Sequence, residues 1–309
     1  MPVSFDLFAT KVIAASVVAS VPLVLAGMGE QMSQKTRILN IGLEGMMLAG
    51  AYAGFLVSNH FGTMWPGFLA GILAGVAVAA PMVLLCVLLG LDQIVVGISL
   101  TLAVQGATSL LHHFSFGRSY PRLQAADAIA LPLISQIPII GAAIFSQHPL
   151  VYVAVAACCV LSWLYRHTFF GLYLIAAGSA PDSLDFVGVR VNSVRSVAVF
   201  STGAFAGLAG AYLSEVGAGI FVPFMTNGLG FIAIVLAMLA RGSPFLVLGW
   251  ALLFGASLSA ATALQVLGTD IPTDVVQMLP FGMTMLALII FGNRNGLPLS
   301  LGGPFRYPR

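Results

Sequence analysis

The stretch ILNIGLEGMMLAGAYAGFLV, residues 38–57, places a carboxylate inside a segment that is otherwise almost entirely apolar. A segment of this length forms a helix long enough to cross a hydrocarbon core of about 30 Å, since each residue adds about 1.5 Å. A charged carboxylate near the centre of a bilayer costs ~2.5–3.5 kcal/mol or more. The carboxylate of Glu44 therefore needs hydrogen-bond donors or water inside the protein.

The composition of the whole chain is that of an integral membrane protein. Of its 309 residues, 59% are hydrophobic and only 7% are charged, whereas a soluble domain carries about 25% charged residues. The apolar runs are too long for transmembrane β-strands of about 10 alternating residues. We therefore predict an all-α, polytopic transmembrane bundle that forms a single domain over residues 1–309. The net charge of +2 is too small to indicate a nucleic-acid partner.

Hydropathy divides the chain into a series of candidate spans and leaves one segment open. Residues 130–147 are apolar but contain Pro132 and Pro138, so they form either a re-entrant or surface helix or a further span. The 228–240 run is short for a full crossing and fits a broken helix. We expect roughly nine or ten spans in all. The candidate spans lie near residues 8–28, 38–58, 67–90, 94–113, 150–165, 195–216, 228–240, 244–264 and 275–292.

Lys and Arg in short loops orient a membrane protein, because such loops stay in the cytoplasm. The 165–195 loop and the C-terminal tail are both rich in arginine, and the even number of candidate spans between them puts both on one side. If 130–147 is a span, the N-terminus is cytoplasmic and Lys35 and Arg37 are outside. If it is not, both assignments reverse. The charge rule leaves these alternatives open.

Small residues recur at the spacing that lets helices approach closely, and the tetrapeptide AGAY occurs at both 49–52 and 209–212. Each such feature is weak evidence of tight packing in a chain rich in Gly and Ala. Three cysteines lie in apolar runs and are expected to pack rather than to form a disulfide or metal site. His112 and His113 end a span and are expected at the membrane interface. The small-residue pairs are Gly50–Gly54, Gly71–Gly75 and Gly203–Gly207, and the cysteines are Cys86, Cys158 and Cys159.

Asn40 and Glu44 are four residues apart, which puts them on one face of any helix formed there. Lipid offers this face no partner, so it must turn toward protein or water. Glu44 either accepts hydrogen bonds from the backbone N–H groups of a broken helix, as a structural clamp, or lines a polar path. The clamp is the preferred interpretation for Glu44, and Asn40 fits both.

Several motifs, in order along nearly the whole chain, resemble the membrane (permease) subunit of bacterial ABC importers for nucleosides and simple sugars. This family lies within the superfamily of branched-chain amino acid and ribose-type permeases. The element NIGLEG is the most specific, because related permeases for ribose-like sugars usually carry an Asp-Leu-Ser type element there. The motifs are PLVLAGMGE from Pro22, NIGLEGMML from Asn40, DQIVVG from Asp92, a long run from Gly171, FVPFMTNGLGFIA from Phe221 and PLSLGGPF from Pro298.

The resemblance implies a place and a set of partners for the chain. It implies the cytoplasmic (inner) membrane of a bacterium, a second permease subunit, two ATP-binding cassette ATPase subunits and an extracytoplasmic substrate-binding protein. The chain itself would bind no cofactor, because the partner subunits would use the ATP. A nucleoside ranks first as cargo, a simple sugar second and a vitamin-like heterocycle third.

The resemblance also implies that the 171–195 loop contains a short cytoplasmic coupling helix that docks on the ATPase. Pro181 suits the opening of this helix and Asp182 its first turn, while Gly178 and Gly188 are placed at its ends. Leu184, Phe186 and Val187 give it an apolar side that a cytoplasmic loop would not expose without a partner. The sequence departs from the family pattern at Ser179 and in the turn SQKTR, residues 33–37.

Energy for transport must come from outside this chain, which we predict is not an enzyme and has no catalytic residue. A phosphate-binding loop needs GxxxxGK[ST], and neither Lys11 nor Lys35 lies in such a context. The alternative is a gradient-driven secondary transporter in which Glu44 or Glu215 carries a proton. Glu215 lies near the end of its span and is expected to face water. The coupling loop favours the ATP-driven interpretation, because secondary transporters do not need one.

A neutral nucleoside suits a path with a few hydrogen-bonding side chains next to aromatic or Met surfaces. Each candidate for this path also fits a packing role or a helix cap, and the Thr226-Asn227-Gly228 sequence is typical of a turn. The polar candidates are Asn40, Glu44, Gln105, Thr226 and Asn227, with Met46, Met225 and Phe221 as apolar neighbours.

Overall fold

The computed structural model describes residues 5–124, 129–130 and 140–266, together with isolated positions between 278 and 289. The predicted span 275–292 as a unit, the arginines of the C-terminal tail and the PLSLGGPF motif lie outside the described residues. The helices are α1 Phe5–Lys35, α2 Leu43–Phe61, α3 Met64–Met82, α4 Gln93–Phe116, α5 Ile140–Phe145, α6 Pro149–His167, α7 Phe169–Ser179, α8 Pro181–Phe186, α9 Val191–Tyr212, α10 Leu229–Leu239 and α11 Pro244–Val266.

Two helices continue into π-helical turns, and one small ribbon completes the described part of the chain. α3 runs on into the π-helical turn Val83–Leu88, and α9 into the turn Leu213–Ala218. Strands β1, Ile129–Ala130, and β2, Ser146–Gln147, pair antiparallel. The fold is therefore all-α apart from this ribbon.

In the part of the chain that the structure describes, six helices are long and apolar enough to cross a membrane: α1, α3, α4, α6, α9 and α11, with the π-helical turns included. They confirm the polytopic bundle. α10 has only 11 residues, as the short 228–240 run indicated, and the described part of 130–147 holds a helix of only 6 residues. The total of nine or ten spans stays a prediction.

One contact selects between the two orientations that the charges left open. Gly178 of α7 packs directly on the carbonyl of Lys35, the last residue of α1. The Lys35 ammonium lies 4.3 Å from the ring centroid of Tyr165, and a Cβ on Gly242 would lie 2.8 Å from its Nζ. The end of α1 and the loop after α6 therefore share one end of the bundle, as they do when 130–147 is not a span. We call it the basic end; it holds Lys35, Arg37, Arg166, Arg190, Arg195 and Arg241.

Glycines set the closest helix crossings at the centre of the bundle. A Cβ at Gly50 of α2 would collide with the backbone of Gly207 in α9, and a Cβ at Gly207 would collide with Gly71 of α3. Gly75 meets Gly203 in the same way. All three predicted small-residue pairs thus meet at one junction of α2, α3 and α9, because only glycine lets the three backbones approach so closely.

The two AGAY segments lie at this junction too. Gly210 in the second segment packs on the backbone of Met47 and Ala51 in α2.

Cys86 and Cys158 are buried and Cys159 is exposed, and all three are free thiols. His112 and His113 lie near the end of α4, and His112 is buried within the protein, with only 2% of its surface exposed. Its ring stacks on Tyr120 with centroids 5.2 Å apart.

Candidate functional site

Glu44 binds the start of the short helix α10 through both of its carboxylate oxygens. Oε1 accepts hydrogen bonds from the Thr226 hydroxyl at 2.5 Å and from the Gly228 N–H at 2.9 Å. Oε2 accepts one from the Gly230 N–H at 2.6 Å. Only 1% of the Glu44 surface is exposed. This is the geometry that the clamp interpretation of Glu44 requires.

The local sequence creates the broken helix that Glu44 binds. Asn227 and Gly228 have positive φ values of 41° and 85°, and Gly228 is the N-cap of α10 without contributing a side chain. The first N–H groups of a helix have no partner within it and carry the positive end of its dipole. A carboxylate from another helix satisfies these groups here. The Glu44 carboxylate thus accepts hydrogen bonds from groups that have no acceptor within their own helix.

Gly230 lets the two helices come close enough for this contact. A Cβ at this position would lie 2.6 Å from the Cα of Glu44 and 2.7 Å from its backbone nitrogen. Such distances are far below van der Waals contact, so a larger residue would push α10 away from α2. Because residue 230 is glycine, the backbone of α10 comes close enough to donate a hydrogen bond to the carboxylate of Glu44.

The prediction that Asn40 and Glu44 share one face of a helix is wrong. α2 begins at Leu43, and Asn40 lies before it in the non-helical connection from α1. Asn40 is nevertheless fully buried. Its side-chain amide donates to Met46 Sδ at 3.4 Å, and its Oδ1 has no hydrogen-bond partner within the described residues.

Glu30 is a second buried carboxylate at this site, and the sequence reasoning did not select it. Its Oε1 accepts from the backbone N–H of Asn40 and from the side chain of Gln34, each at 3.2 Å. Gln34 also donates to the carbonyl of Ile234 in α10 at 3.3 Å. The signal was present in the PLVLAGMGE motif, which ends on this glutamate. One polar network therefore joins α1, the 36–42 connection and α10.

Two of the predicted path residues do not join this network. Asn227 is exposed and serves as a turn residue, with its N–H donating to the carbonyl of Phe224 at 3.0 Å. Gln105 is half-buried in α4, and its backbone carbonyl accepts a hydrogen bond from the Thr108 hydroxyl. Thr226 is only 1% exposed and belongs to the site through Glu44.

The apolar neighbours divide between two places. Phe221 and Met225 join an aromatic cluster with Tyr52 and Phe55 of α2, where the rings of Tyr52 and Phe221 meet edge to face at 5.2 Å. Met46 lies in the main core and accepts from Asn40. The chain segment that leads into the Glu44 clamp thus has an aromatic wall on one side.

Glu215 does not face water, contrary to expectation. It lies in the π-helical turn Leu213–Ala218 and is only 1% exposed. A Cβ at Gly67 of α3 would collide with the carboxylate of Glu215 and with the hydroxyl of Ser58. Gly54 of α2 also packs against this carboxylate, so Glu215 is enclosed between α2 and α3.

At the basic end, α8 forms where the coupling helix was expected. Pro181 is in its first turn and Asp182 follows it. Gly188 ends the helix with φ of 78° and donates to the carbonyl of Asp185 at 3.0 Å. Phe186 is 91% exposed. The helix therefore presents an apolar side chain to the outside of the chain.

Two residues of this loop have different positions from those predicted. Leu184 is only 3% exposed and belongs to the main core, so it anchors α8 to the bundle and does not form part of its outer surface. Gly178 lies inside α7, where it packs on Lys35, and does not mark the end of the coupling helix. Arg195 adds a hydrogen bond of 3.3 Å to the carbonyl of Ala177.

Comparison with known proteins gives relatives that span nearly the same length. TsgC13 of Haloferax volcanii, named as a glucose ABC transporter permease, is 37% identical over 80% of this chain and 76% of its own length. NupQ of Bacillus subtilis, a guanosine ABC transporter permease, is 30% identical over 95% of this chain and 96% of its own. NupC of Lactococcus lactis, a nucleoside ABC transporter permease, is 29% identical over 91% and 92%.

The fold is similar to that of an ABC transporter of metal-chelate type in an inward-facing conformation. The TM-score is 0.52 over 91% of this chain and 86% of that one, at 16% sequence identity. The sequence matches the family described as "Branched-chain amino acid transport system / permease component" over residues 12–288. The family match covers the Glu44 clamp, α8 and the glycine junction together. The chain therefore belongs to the family of branched-chain amino acid transport system permease components.

Proposed function

We propose that this chain is the membrane subunit of an ATP-driven importer that carries a nucleoside across the cytoplasmic (inner) membrane of a bacterium by alternating access. A second permease subunit would complete the path, and two ATP-binding cassette ATPases would drive it. An extracytoplasmic binding protein would deliver the solute. The chain would bind no cofactor itself, because ATP is hydrolysed on the ATPase subunits.

The observation that carries this proposal is the form of α8 at the basic end. By the positive-inside rule we assign this end to the cytoplasm, where an ATPase would reach it. Phe186 is 91% exposed and Val187 is 71% exposed. Leu184 fixes the same helix to the core. A rigidly anchored helix with an exposed aromatic residue suits docking, because a partner buries the ring while the anchor transmits the movement.

The hydrogen bonds of Glu44 speak against the gradient-driven alternative at that residue. A proton carrier must exchange its proton with water during each cycle. Glu44 is held by three donors, two of them backbone N–H groups at a helix start, and protonation would weaken all three hydrogen bonds. In the gradient-driven alternative, Glu215 would then be the carboxylate that carries the proton.

The cargo is inferred from the relatives and the NIGLEG element together. The guanosine and nucleoside permeases match more than nine tenths of this chain, which supports a nucleoside. The glucose permease is more similar in sequence but covers less of the chain, which keeps a simple sugar as the alternative cargo.

Reconstituted transport tests the energy source. Proteoliposomes that hold the complete importer and its binding protein should take up adenosine only when ATP is present on the side of the membrane that carries the ATPases. A Walker-A Lys→Ala change in the ATPases should abolish uptake, and a protonophore should leave it unchanged. Uptake by this chain alone, driven by a proton gradient, would refute the ATP-driven mechanism.

The binding protein tests the cargo. The protein that co-purifies with this permease should bind adenosine or guanosine more tightly than ribose, glucose or riboflavin, as measured by calorimetry. Tight binding of a sugar without any response to nucleosides would overturn the nucleoside ranking while the importer mechanism stands.

A further inference from the structure

The end of the bundle opposite the basic end contains a cavity of about 530 Å³. Three parts of the chain line it: the segment after α4, the segment before α6, and the π-helical turn at the end of α9 with the residues after it. Cavities of about 300–1,000 Å³ are the usual size for small-molecule sites. The hydrogen-bonding side chains that line it are Arg122, Gln124, Gln147, His148 and Glu215.

We propose that this cavity is the first binding site in the membrane subunit for a neutral, polyhydroxylated solute arriving from outside. The proposal rests on the importer function and adds to it a specific site in this chain. It involves different residues from those of the Glu44 clamp.

The charges on the wall favour a neutral ligand. One guanidinium, that of Arg122, and one carboxyl group, that of Glu215, line the cavity together with two amides and an imidazole. A cationic solute would be repelled by the guanidinium, and an anionic solute, which the guanidinium attracts, would be repelled by the carboxylate form of Glu215. A neutral solute with several hydroxyls can donate to the carboxylate and accept from the guanidinium at once.

Glu215 supplies the strongest sign of a missing partner. Both of its carboxylate oxygens are buried, and neither makes a well-formed hydrogen bond with the residues that the structure describes, although the Ser58 hydroxyl lies beside the carboxylate at Gly67. A buried carboxylate with so few donors is costly. It also lies in a π-helical turn, a rare conformation that occurs often at functional sites. Hydroxyl groups of a solute at this wall would add donors to the one that Ser58 offers.

The other walls are held in place by their own hydrogen bonds. The N–H of Leu123 donates to the carbonyl of Gly219 at 2.8 Å, which fixes the segment after α4 against the end of α9. Gln147 donates its side-chain amide to the carbonyl of Ala143 at 2.6 Å, so its amide oxygen is left to accept from a solute. The site is therefore preformed in part, which lowers the entropy cost of binding.

The cavity also leads toward the aromatic cluster above the Glu44 clamp. Ile220 lines the cavity, and the next residue, Phe221, belongs to the cluster. Leu123 lines the cavity and packs against the same cluster. A solute with a flat base and a sugar would therefore find hydroxyl partners in the cavity and an aromatic surface beside it.

Direct binding tests the proposal without the binding protein. The purified complex of permeases and ATPases in nanodiscs should bind radiolabelled adenosine in a scintillation proximity assay. Arg122→Ala and Gln124→Ala should each weaken binding by about tenfold. Both side chains are exposed at the cavity wall, so these variants should fold. Arg118→Ala is the matched control, an exposed arginine of the same segment outside the cavity lining, and should change the affinity by less than about twofold.

A second comparison isolates the role of Glu215. Glu215→Gln keeps the size of the side chain and removes its charge. It should weaken adenosine binding by about tenfold but change the binding of 2′,3′-dideoxyadenosine by less than about twofold, since that analogue lacks the 2′- and 3′-hydroxyls that we expect to donate to Glu215. Adenosine monophosphate should bind the unaltered complex at least about tenfold more weakly than adenosine.

The outcomes separate this proposal from the importer function. If the complex imports adenosine with its binding protein, yet the Arg122, Gln124 and Glu215 variants bind and import it normally, the cavity is not the site and the importer function stands. If glucose binds instead of adenosine and is weakened by the same variants, the cavity is supported and the nucleoside ranking is overturned. If the unaltered complex imports solute but binds no neutral solute in the absence of its binding protein, the proposal is wrong.

Discussion

Glu44 and Gly230 lie 186 positions apart in the sequence and are joined by a hydrogen bond of 2.6 Å between the carboxylate and the backbone N–H. This bond and its two neighbours attach the start of α10 to the start of α2. α10, with 11 residues, is too short to cross a membrane, and its first N–H groups would be left without acceptors in an apolar core. The carboxylate that looked out of place in an apolar segment is the acceptor for these groups.

Replacing Glu44 should separate its structural role from any role in proton transfer. Glu44→Ala leaves three donors without an acceptor, and each buried unsatisfied group costs about 1–3 kcal/mol. Glu44→Gln keeps one oxygen acceptor and should be destabilised less. We expect the thermal unfolding temperature to fall in the order unaltered, Gln, Ala. The Glu44→Gln variant should still transport, with a measurable uptake rate per amount of folded protein. A well-folded Gln variant without any transport would instead support a proton-carrying role for Glu44.

Gly230→Ala should damage the same contact from the other side. The added methyl would lie 2.6 Å from the Cα of Glu44, and overpacking of this kind costs about 1–3 kcal/mol. Gly249→Ala in α11 is the matched control, because nothing lies within 4 Å of its added Cβ. We expect a lower unfolding temperature for the first variant alone. Equal temperatures for the two would show that α10 can shift without cost.

The glycine junction of α2, α3 and α9 should tolerate no methyl group at its centre. Gly207→Ala would place a Cβ against the backbone carbonyl of Gly71, and backbone cannot move aside as a flexible side chain can. We expect reduced yield of folded protein in size-exclusion chromatography and a loss of stability of about 1–3 kcal/mol. Gly106→Ala in α4, whose Cβ would meet open space, should behave like the unaltered protein. A folded, stable Gly207→Ala variant would contradict the crossing geometry.

The coupling helix should respond differently at two positions two residues apart. Phe186→Asp should lower solute-stimulated ATP hydrolysis in the reconstituted complex and leave the unfolding temperature unchanged, because this side chain is 91% exposed. Leu184→Asp should lower the stability of the permease itself, since burying an unpaired charge costs on the order of several kcal/mol. Normal ATP hydrolysis with Phe186→Asp would mean that the ATPase docks elsewhere.

The sequence by itself determined the class of the protein and the type of most of its elements. Long apolar runs and few charges require a membrane bundle, because neither a soluble surface nor a β-barrel can be built from them. The short 228–240 run predicted a broken helix, and Pro181 and Gly188 predicted the limits of α8. The small-residue pairs marked surfaces for close packing. These signals are local, and short-range chemistry is enough to interpret them.

Only the tertiary structure decided which distant groups meet. The sequence favoured a clamp at Glu44, but the particular N–H groups it binds lie at the far end of the chain. Asn40 was assigned to a helix that begins after it, Leu184 was expected outside and is in the core, and Glu215 was expected in water and is enclosed. A residue's burial depends on the neighbouring helices, and in a chain this apolar almost every helix has several faces that could turn inward. Contacts between helices, such as Gly178 on Lys35 and Glu44 on Gly230, select one of them.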